Sequence, residues 1–315
     1  MSISLGVLTF HCRWQTAARL PDYAGSTLRG AFGWALKRVA CMLKSQQCPD
    51  CILRRNCPYA FLFATERYRD DASHSVNARP HPLIIQPGDD CAGDGLEGGL
   101  FNFSLVIMSR ASDFLPHIVH SVKLMGEAGI GAGAKHGAGR FVMENVMADG
   151  QAIFDIETGL FNNALETRKI SAETLPSQKV SRLHIGFITP LRLKRENILA
   201  DTLPFSELIR AVLRRITALE AAYGNEGQSE PDFDYRGLIQ RAEAIHLEES
   251  TLRWRELQRY SNRQKQHVSL SGLMGTVVYT GNLDEFMPFF NYAAAVNLGK
   301  QTLFGLGRIE VEASS

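Results

Sequence analysis

Hydrophobic and polar residues alternate over several short stretches of the first half of the chain, with helical spacing between them. Alternation predicts a strand over residues 2–10, and apolar residues at helical spacing, among them Leu28 and Phe32, predict a helix over 27–43. The elements that follow are predicted strands over 82–86 and 101–108, a helix over 113–128 and a strand over 140–146. The first half therefore has the order βαββαβ.

The second half repeats this order. A predicted strand over 180–193 precedes a strongly amphipathic helix over 205–223, which ends before Gly224. A further helix, predicted over 235–245, is an insertion into the pattern. The unit is completed by predicted strands over 252–260 and 273–280, a helix over 284–296 and a strand over 308–311.

A glycine-rich stretch follows the second helix of each half. The first reads GIGAGAKHGAGRF over 129–141, and the second reads LGKQTLFGLGRIEV over 298–311. Dense glycine indicates a tight turn or a backbone lying against a ligand, but the first stretch lacks the spacing and context of a dinucleotide or P-loop motif. The shared register favours a duplicated unit. Without a gap, the two stretches align Gly131 with Gly299, Gly137 with Gly305, Gly139 with Gly307 and Arg140 with Arg308.

A βαββαβ unit folds as a four-stranded antiparallel sheet with two helices on one face. The sequence therefore predicts an α+β protein of two tandem ferredoxin-like domains with glycine-rich loops. The predicted domains are residues 1–150, with a cysteine-rich insertion at 41–57, and residues 179–315; residues 151–178 are polar and weakly patterned and are predicted to be a linker. The open sheet face is available to a ligand, as in RNA-recognition modules of this fold.

Composition constrains the partners only weakly. Thirty-four Lys and Arg against thirty-three Asp and Glu leave a net charge of +1, so a nucleic-acid surface has to come from local clustering. No stretch approaches the roughly eighteen apolar residues of a membrane span, and no basic leader segment begins the chain. These features predict a cytoplasmic protein with no membrane partner.

Four of the six cysteines lie close together in the first half, at Cys41, Cys48, Cys51 and Cys57. The two-residue gap in Cys48-Pro-Asp-Cys51 is typical of a zinc knuckle, in which successive thiolates turn back onto one ion. We predict a structural zinc ion held by these four thiolates, with no role in catalysis. An iron–sulfur cluster and unmetallated thiols are the alternatives.

A basic stretch at 251–267 is the best RNA-binding candidate in the chain. Trp254 and Tyr260 are interleaved with its cations, and Glu256 is its one acid. Arginine binds phosphate bidentately and aromatic faces stack on unpaired bases, which favours RNA over the alternative of a solvated strand face. The predicted contacts are Arg253, Arg255, Arg259, Arg263 and Lys265.

The glycine-rich stretches supply further RNA-binding candidates. In the first stretch these are Lys135 and His136 at the tip, for which a turn without a ligand is the alternative. In the second stretch they are Gly299, Lys300, Gly305 and Gly307.

Several motifs together resemble the RAMP superfamily of CRISPR-associated proteins. The second half contributes FITPLRLK at 187–194, RYSNRQK at 259–265, GLMG at 272–275 and LGKQTLFGLGR at 298–308, and the first half contributes LRGAFG at 28–33, CPY at 57–59 and RPHP at 79–82. Within the superfamily, the second half resembles the pre-crRNA-processing endoribonucleases of the Cas6 family. The resemblance covers nearly the whole chain.

The resemblance implies a metal-independent endoribonuclease that binds CRISPR repeat RNA and cleaves pre-crRNA to mature crRNA by 2′-hydroxyl attack. This chemistry needs a base, an acid and cations around the phosphorane. In the family, a histidine in or after the first helix often serves, with a tyrosine and a lysine nearby. This chain has no histidine between His11 and His74.

The catalytic candidates are therefore Tyr23 with Arg29 and Lys37, around the start of the first helix, or His267 beside the basic stretch. The alternative function is a non-catalytic RAMP subunit that binds crRNA in an effector complex with other CRISPR subunits. A third interpretation is an unrelated metal-binding regulatory protein with a duplicated ferredoxin-like fold.

Overall fold

The computed structural model describes residues 2–43, 48–65, 79–172, 179–195, 198–199, 203–224, 234–261 and 266–315. At positions 49, 194–195, 198–199, 260–261 and 267 it describes the backbone alone. The chain forms two compact units, Ser4–Lys169 and Ile170–Ser315, and the residues before Ser4 are grouped with the second. No helix in these described ranges is both long enough and apolar enough to cross a membrane.

The first unit has the predicted order of elements, with short additions. Its strand β1 runs on to Trp14, beyond the predicted end at residue 10, because the alternation of buried and exposed residues continues that far. The elements are β1 (Ile3–Trp14), β2 (Ala18–Arg19), α1 (Gly25–Ala40), α2 (Pro58–Leu62), β3 (Leu83–Pro87), β4 (Asp94–Gly95), β5 (Leu100–Met108), α3 (Leu115–Ala128), β6 (Phe141–Ala148), β7 (Gln151–Phe154) and β8 (Arg168–Ile170).

The sheet of the first unit has the ferredoxin-like strand order β3-β5-β1-β6, with antiparallel neighbours throughout. Helices α1 and α3 pack beside each other on one face. Phe10 and Trp14 point into this core, and the Trp14 ring stacks on Phe101 at 4.0 Å between centroids. The opposite face carries polar side chains, including a hydrogen bond between the hydroxyls of Thr9 and Ser104 (3.0 Å).

Residues 151–169 belong to the first unit, which corrects the linker predicted over 151–178. Strand β7 pairs with β6 and extends the sheet. Farther along, the Leu165 side chain packs over Gly6 of β1, so closely that a Cβ on Gly6 would lie 2.7 Å from it. The sequence pattern indicates a linker here because the few apolar residues show no period, although they are enough to cover one strand. Residues 173–178 lie outside the described residues.

The second unit repeats the order and contains the predicted extra helix. Its sheet has the strand order β12-β16-β9-β17, and α4 packs beside α6. The elements are β9 (Arg182–Leu191), β10 (Lys194–Arg195), β11 (Ile198–Leu199), α4 (Phe205–Tyr223), α5 (Tyr235–Ala242), β12 (His246–Ser250), β13 (Arg253–Arg255), β14 (Gln258–Ser261), β15 (Gln266–Ser269), β16 (Gly272–Thr280), α6 (Met287–Val296) and β17 (Ile309–Ser314). The prediction of tandem ferredoxin-like domains is confirmed.

One predicted strand of the second unit, over 252–260, is two strands. Strand β13 pairs with β16 in the main sheet, whereas β14 leaves the sheet and forms a hairpin with β15. The break lies at Leu257, whose N–H donates to the Ser271 hydroxyl (3.0 Å) and not to a strand partner. We call the β14–β15 hairpin, together with the adjoining strand β13, the basic hairpin.

Candidate functional site

The two glycine-rich loops, loop 1 at 129–140 and loop 2 at 297–308, have the same backbone construction. In loop 1 the Ile130 N–H donates to the Gly139 carbonyl (2.9 Å), and in loop 2 the Leu298 N–H donates to the Gly307 carbonyl (2.7 Å). A short 3₁₀ turn follows in each, Ala134–His136 and Thr302–Phe304. The duplication inferred from the aligned glycines therefore holds at the level of individual hydrogen bonds.

A threonine near the end of the first long strand of each unit ties its loop to the sheet. Its hydroxyl donates to a loop carbonyl and accepts the N–H of the arginine that follows the last glycine. The contacts are Thr16 Oγ1–Gly137 O (3.0 Å), Arg140 N–Thr16 Oγ1 (2.9 Å), Thr189 Oγ1–Gly305 O (2.8 Å) and Arg308 N–Thr189 Oγ1 (2.9 Å). The sequence signal is a Thr-x-x-Arg motif at 16–19 and 189–192, which lies outside the aligned glycine-rich stretches.

Internal packing explains why these loops need glycine. Gly139 and Gly307 have φ values of 66° and 72°, in the left-handed region. A Cβ on Gly139 would collide with the Ile130 carbonyl oxygen, and one on Gly307 would collide with the Leu298 carbonyl oxygen. The backbone at these positions lies against its own loop.

The tips of the loops differ in exposure. Lys135 and His136 of loop 1 are exposed, whereas the aligned residues of loop 2, Leu303 and Phe304, are buried. The Arg259 guanidinium of the basic hairpin lies over the Phe304 ring, 4.9 Å from its centroid. Loop 2 is therefore covered by the hairpin at a point where loop 1 is open.

The RNA-binding residues predicted in loop 2 have different surroundings. Lys300 is exposed, Gly299 is half-buried, and Gly305 and Gly307 are buried. The Gly305 N–H donates to the Thr302 carbonyl (2.8 Å) and the Gly307 N–H to the Pro190 carbonyl (3.2 Å). The two buried glycines thus shape the loop, and Lys300 is an exposed side chain of loop 2.

The basic hairpin carries two exposed guanidinium groups, Arg253 and Arg255, on strand β13. Trp254, between them, is 42% exposed. Arg259 is half-buried, and desolvation lowers its pKa. Arg263 and Lys265 lie outside the described residues; the backbone of His267 pairs with Tyr260 in the β14–β15 ladder.

Arg192 joins the basic hairpin to loop 2. Its guanidinium donates to the Ser271 carbonyl and to the Ser269 hydroxyl (3.4 Å), next to the hairpin's second strand. Its own carbonyl accepts the Lys300 N–H (3.0 Å). The end of β9, loop 2 and the hairpin therefore form one hydrogen-bonded assembly.

The first-helix candidates of the first unit lie against aromatic rings. The Arg29 guanidinium is 4.3 Å from the Phe63 ring centroid, and the Lys37 ammonium is 5.9 Å from that of Tyr59. Helical spacing places both cations on the α1 face that meets α2. Tyr23, just before α1, is half-buried, and burial raises its pKa well above the ordinary value. A raised pKa opposes a role for Tyr23 as a general base, because the phenol then stays protonated.

A histidine that is absent from the sequence-based candidates, His81, lies beside this helix pair. Its Nδ1 is 3.5 Å from the Thr65 hydroxyl, which also donates to the Arg79 carbonyl (3.0 Å). Phe63, two residues before Thr65, is the ring beneath Arg29. The family resemblance directs attention to histidines in or just after the first helix, and His81 lies far beyond it along the chain. Its signal is the RPHP motif at 79–82.

The four clustered cysteines, Cys41, Cys48, Cys51 and Cys57, are half-buried free thiols. In the described part of the chain, no three His, Cys, Asp or Glu side chains are grouped so that they could hold a metal ion. The zinc ion stays a prediction. Elemental analysis of protein purified without added metal tests it.

Family models match both units. The model described as CRISPR-associated endoribonuclease Cas6 matches residues 185–309, and a model described as an N-terminal domain matches residues 3–170. An uncharacterized protein from Archaeoglobus fulgidus is 25% identical over 314 residues, which cover 98% of each chain.

Solved structures share the fold across the whole chain. The product complex of a Thermus thermophilus Cas6 aligns with a TM-score of 0.54 at 12% identity and covers 98% of this chain and 99% of that one. A partial Cas6-RT-Cas1–Cas2 complex aligns with a TM-score of 0.56 at 13% identity, covering 99% of this chain and 46% of that one. At such identities the likeness establishes the fold.

Proposed function

We propose that the chain binds CRISPR repeat RNA and cleaves pre-crRNA to mature crRNA, because its second unit matches the model of the CRISPR-associated endoribonuclease Cas6 over residues 185–309. The observation that carries the proposal is the assembly of loop 2 with the basic hairpin. It places Arg253, Arg255, Arg259 and Lys300 on one hydrogen-bonded framework, which we call the hairpin–loop surface.

The charges of the hairpin–loop surface suit a phosphate backbone. Arg253, Arg255 and Lys300 form no ion pair with any residue that the structure describes. Guanidinium groups bind phosphate through paired hydrogen bonds, and a half-exposed indole such as that of Trp254 gives an unpaired base a face on which to stack. The surface therefore supplies phosphate contacts, and Trp254 supplies a stacking ring on the opposite face of β13.

The cleavage step that we propose uses no metal ion. The ribose 2′-oxygen loses its proton to a base and attacks the adjacent phosphorus, and the bond from phosphorus to the 5′-oxygen breaks. The leaving oxygen takes a proton from an acid, so the products are a 2′,3′-cyclic phosphate and a 5′-hydroxyl. Such proton transfers contribute about 100- to 10,000-fold each.

His81 is the group we propose for proton transfer in the first unit. Imidazole titrates near neutral pH and can serve as base or acid. Tyr23, with its raised pKa, stays protonated and can donate a hydrogen bond, but it is poorly suited to accept a proton. Arg29, close to the same α2 segment, is the cation proposed to stabilise the phosphorane.

Single-turnover cleavage of end-labelled repeat RNA in EDTA tests this assignment. We expect His81→Ala to reduce the rate by at least about 100-fold with little change in binding. His120→Ala, an exposed histidine on α3, is the matched control and should cleave like the wild type. Cleavage by His81→Ala within about tenfold of wild type would remove His81 from the mechanism.

The second candidate function, a non-catalytic subunit that holds crRNA in an effector complex, is favoured by the aromatic contacts of Arg29 and Lys37. Cations packed on rings help to build the α1–α2 interface and need no substrate. If wild-type protein binds repeat RNA but leaves every repeat intact, this function replaces the enzyme. Loss of binding on Arg253→Ala with Arg255→Ala would then still locate the RNA.

A further inference from the structure

The inserted helix α5 of the second unit is held rigidly although the ferredoxin-like fold does not require it. The Arg241 guanidinium donates to both carboxylate oxygens of Glu285, before α6, at 2.8 Å each, and to Asp234 at 3.2 Å. The Asp234 carboxylate also caps the helix by accepting the Gly237 N–H (2.9 Å). These bonds raise the pKa of Arg241 and lower that of Asp234. Helix α5 is thus fixed at its N-terminus and against the start of α6.

A groove of about 380 Å³ separates α5 from α4. Helix α4 contributes Arg210, and α5 contributes residues about one helical turn apart along a single stripe. The lining side chains are Arg210, Tyr235, Arg236, Ile239, Gln240 and Glu243. Ile239 is buried and forms an apolar floor, while the polar groups lie around it.

The two guanidinium groups of the groove differ from that of Arg241. Neither Arg210 nor Arg236 forms an ion pair with any residue in the described ranges, whereas Arg241, on the same helix, pairs with two carboxylates. The groove therefore has two cations that can turn toward an anion. Glu243 and Gln240 add acceptors that a simple anion such as sulfate would not use.

This mixture of groups matches one nucleotide of single-stranded RNA. A phosphate accepts from the two guanidinium groups, the Tyr235 ring offers a face for a base, and base amino groups or a ribose hydroxyl donate to Glu243 and Gln240. A pocket of 300 to 1,000 Å³ is the usual size for a small-molecule ligand, and about 380 Å³ is enough for a nucleotide. An acidic peptide could pair with the two guanidinium groups as well, but it offers no planar base for the Tyr235 ring.

We propose that the α4–α5 groove is a second RNA site, which binds single-stranded RNA apart from the hairpin–loop surface. The proposal rests on the proposed function, since it extends the path of the same RNA onto the helical side of the second unit. It assigns the inserted helix a role in holding RNA outside the segment bound by the hairpin.

The test measures binding of a labelled repeat RNA with a single-stranded extension, by fluorescence anisotropy over a range of salt concentrations. We expect Arg210→Ala with Arg236→Ala to weaken binding about tenfold and to lower the log–log salt slope by about 0.7, for the one lost phosphate contact. Arg214→Ala removes an exposed charge from α4 outside the groove and should bind like wild type. Thermal unfolding of the variants checks that α5 stays folded.

A second readout locates the contact directly. The same RNA with 4-thiouridine in its extension should cross-link under ultraviolet light to a peptide containing Tyr235, and the groove variant should lose this product. Unchanged affinity and slope in the groove variant would overturn the proposal. So would groove-dependent binding of an oligoglutamate peptide without any effect on RNA, since that result assigns the groove to a protein partner. Failure of the wild type to bind RNA at all would instead overturn the proposed function.

Discussion

Loop 1 and loop 2 share a backbone conformation, but the tip of one is exposed and the tip of the other is buried. Both are closed by the same hydrogen bonds and tied to the sheet by a threonine, yet loop 1 presents Lys135 and His136 to solvent while loop 2 buries Leu303 and Phe304. The conformation is therefore set by the glycines that the loops share. What each loop can contact is set by the two residues at its tip.

The first residues of the two loops also share a backbone conformation but differ in their side-chain contacts. Gly129 begins loop 1 and Asn297 begins loop 2, each with positive φ and a ψ of 156°. Asn297 adds side-chain chemistry, because its amide donates to the Leu306 carbonyl (3.1 Å), and its backbone carbonyl accepts from Arg215 of α4 (3.3 Å). Burial lowers the pKa of Arg215 to about 10. Loop 2 is thus fixed by side chains where loop 1 relies on glycine.

The largest loss of stability is expected from removing the buried Phe304 ring at the tip of loop 2. Phe304→Ala should lower the free energy of unfolding by about 3 to 5 kcal/mol, because it deletes a buried ring and the surface on which Arg259 rests. His136→Ala, at the aligned exposed position, should change it by less than about 0.5 kcal/mol. Urea denaturation of the full chain measures both. Similar losses in the two variants would show that the tips are equivalent after all.

The next largest loss of stability is expected from alanine substitutions at two glycines of loop 1. Comparing them separates the cost of a steric collision from the cost of backbone strain. Gly137 and Gly139 both have positive φ, but a Cβ on Gly137 has no neighbour within 4 Å, whereas one on Gly139 meets the Ile130 carbonyl. We expect Gly139→Ala to cost about 3 kcal/mol and Gly137→Ala about 1 kcal/mol, the usual cost of alanine at positive φ. Thermal unfolding of the pair provides the comparison. Equal costs would mean that loop 1 relaxes around the added methyl group.

A smaller loss of stability, equal in the two units, is expected when Thr16 or Thr189 loses its hydroxyl. Thr16→Val and Thr189→Val keep the shape of the side chain but remove the hydroxyl that Arg140 N–H and Arg308 N–H require. Each should cost about 1 to 2 kcal/mol in urea denaturation, the range for a hydrogen-bonding group left without its partner. The Thr→Ser variants retain the hydroxyl and serve as controls. A loss in only one unit would contradict the common design of the loops.

The features that were predicted correctly from the sequence are those that depend on local residue patterns. The aligned glycines, from Gly131 with Gly299 to Gly139 with Gly307, predicted two equivalent loops, and periodicity predicted the βαββαβ order of both units. These features are local because a strand, a helix or a positive φ is decided within a few residues. The unequal tips are local too, since the same register aligns Lys135-His136 with Leu303-Phe304.

What the sequence did not predict depends on contacts between distant segments. The linker predicted over 151–178 is wrong for residues 151–169, because Leu165 covers Gly6, far earlier in the chain. His81 was missed because its contact with Thr65 joins positions 16 residues apart, which no helix or strand period relates. The covered state of loop 2 follows from the contact of Arg259 with Phe304, in another element of the chain. No local sequence pattern predicts such contacts between distant residues.

The smallest expected effect is a change in the salt dependence of RNA binding, which tests whether both loops contact RNA. Lys135 and Lys300 are the exposed lysines of loop 1 and loop 2, and Lys123 on α3 is an exposed lysine outside both. If each loop touches one phosphate of a single strand, Lys135→Ala and Lys300→Ala should each lower the log–log salt slope of RNA binding by about 0.7, while Lys123→Ala leaves it unchanged. Anisotropy titrations of repeat RNA at several salt concentrations give the slopes. A change for Lys300→Ala alone would restrict RNA binding to the unit whose loop is covered by the basic hairpin, and loop 1 would then be a turn that keeps the duplicated backbone without the ligand.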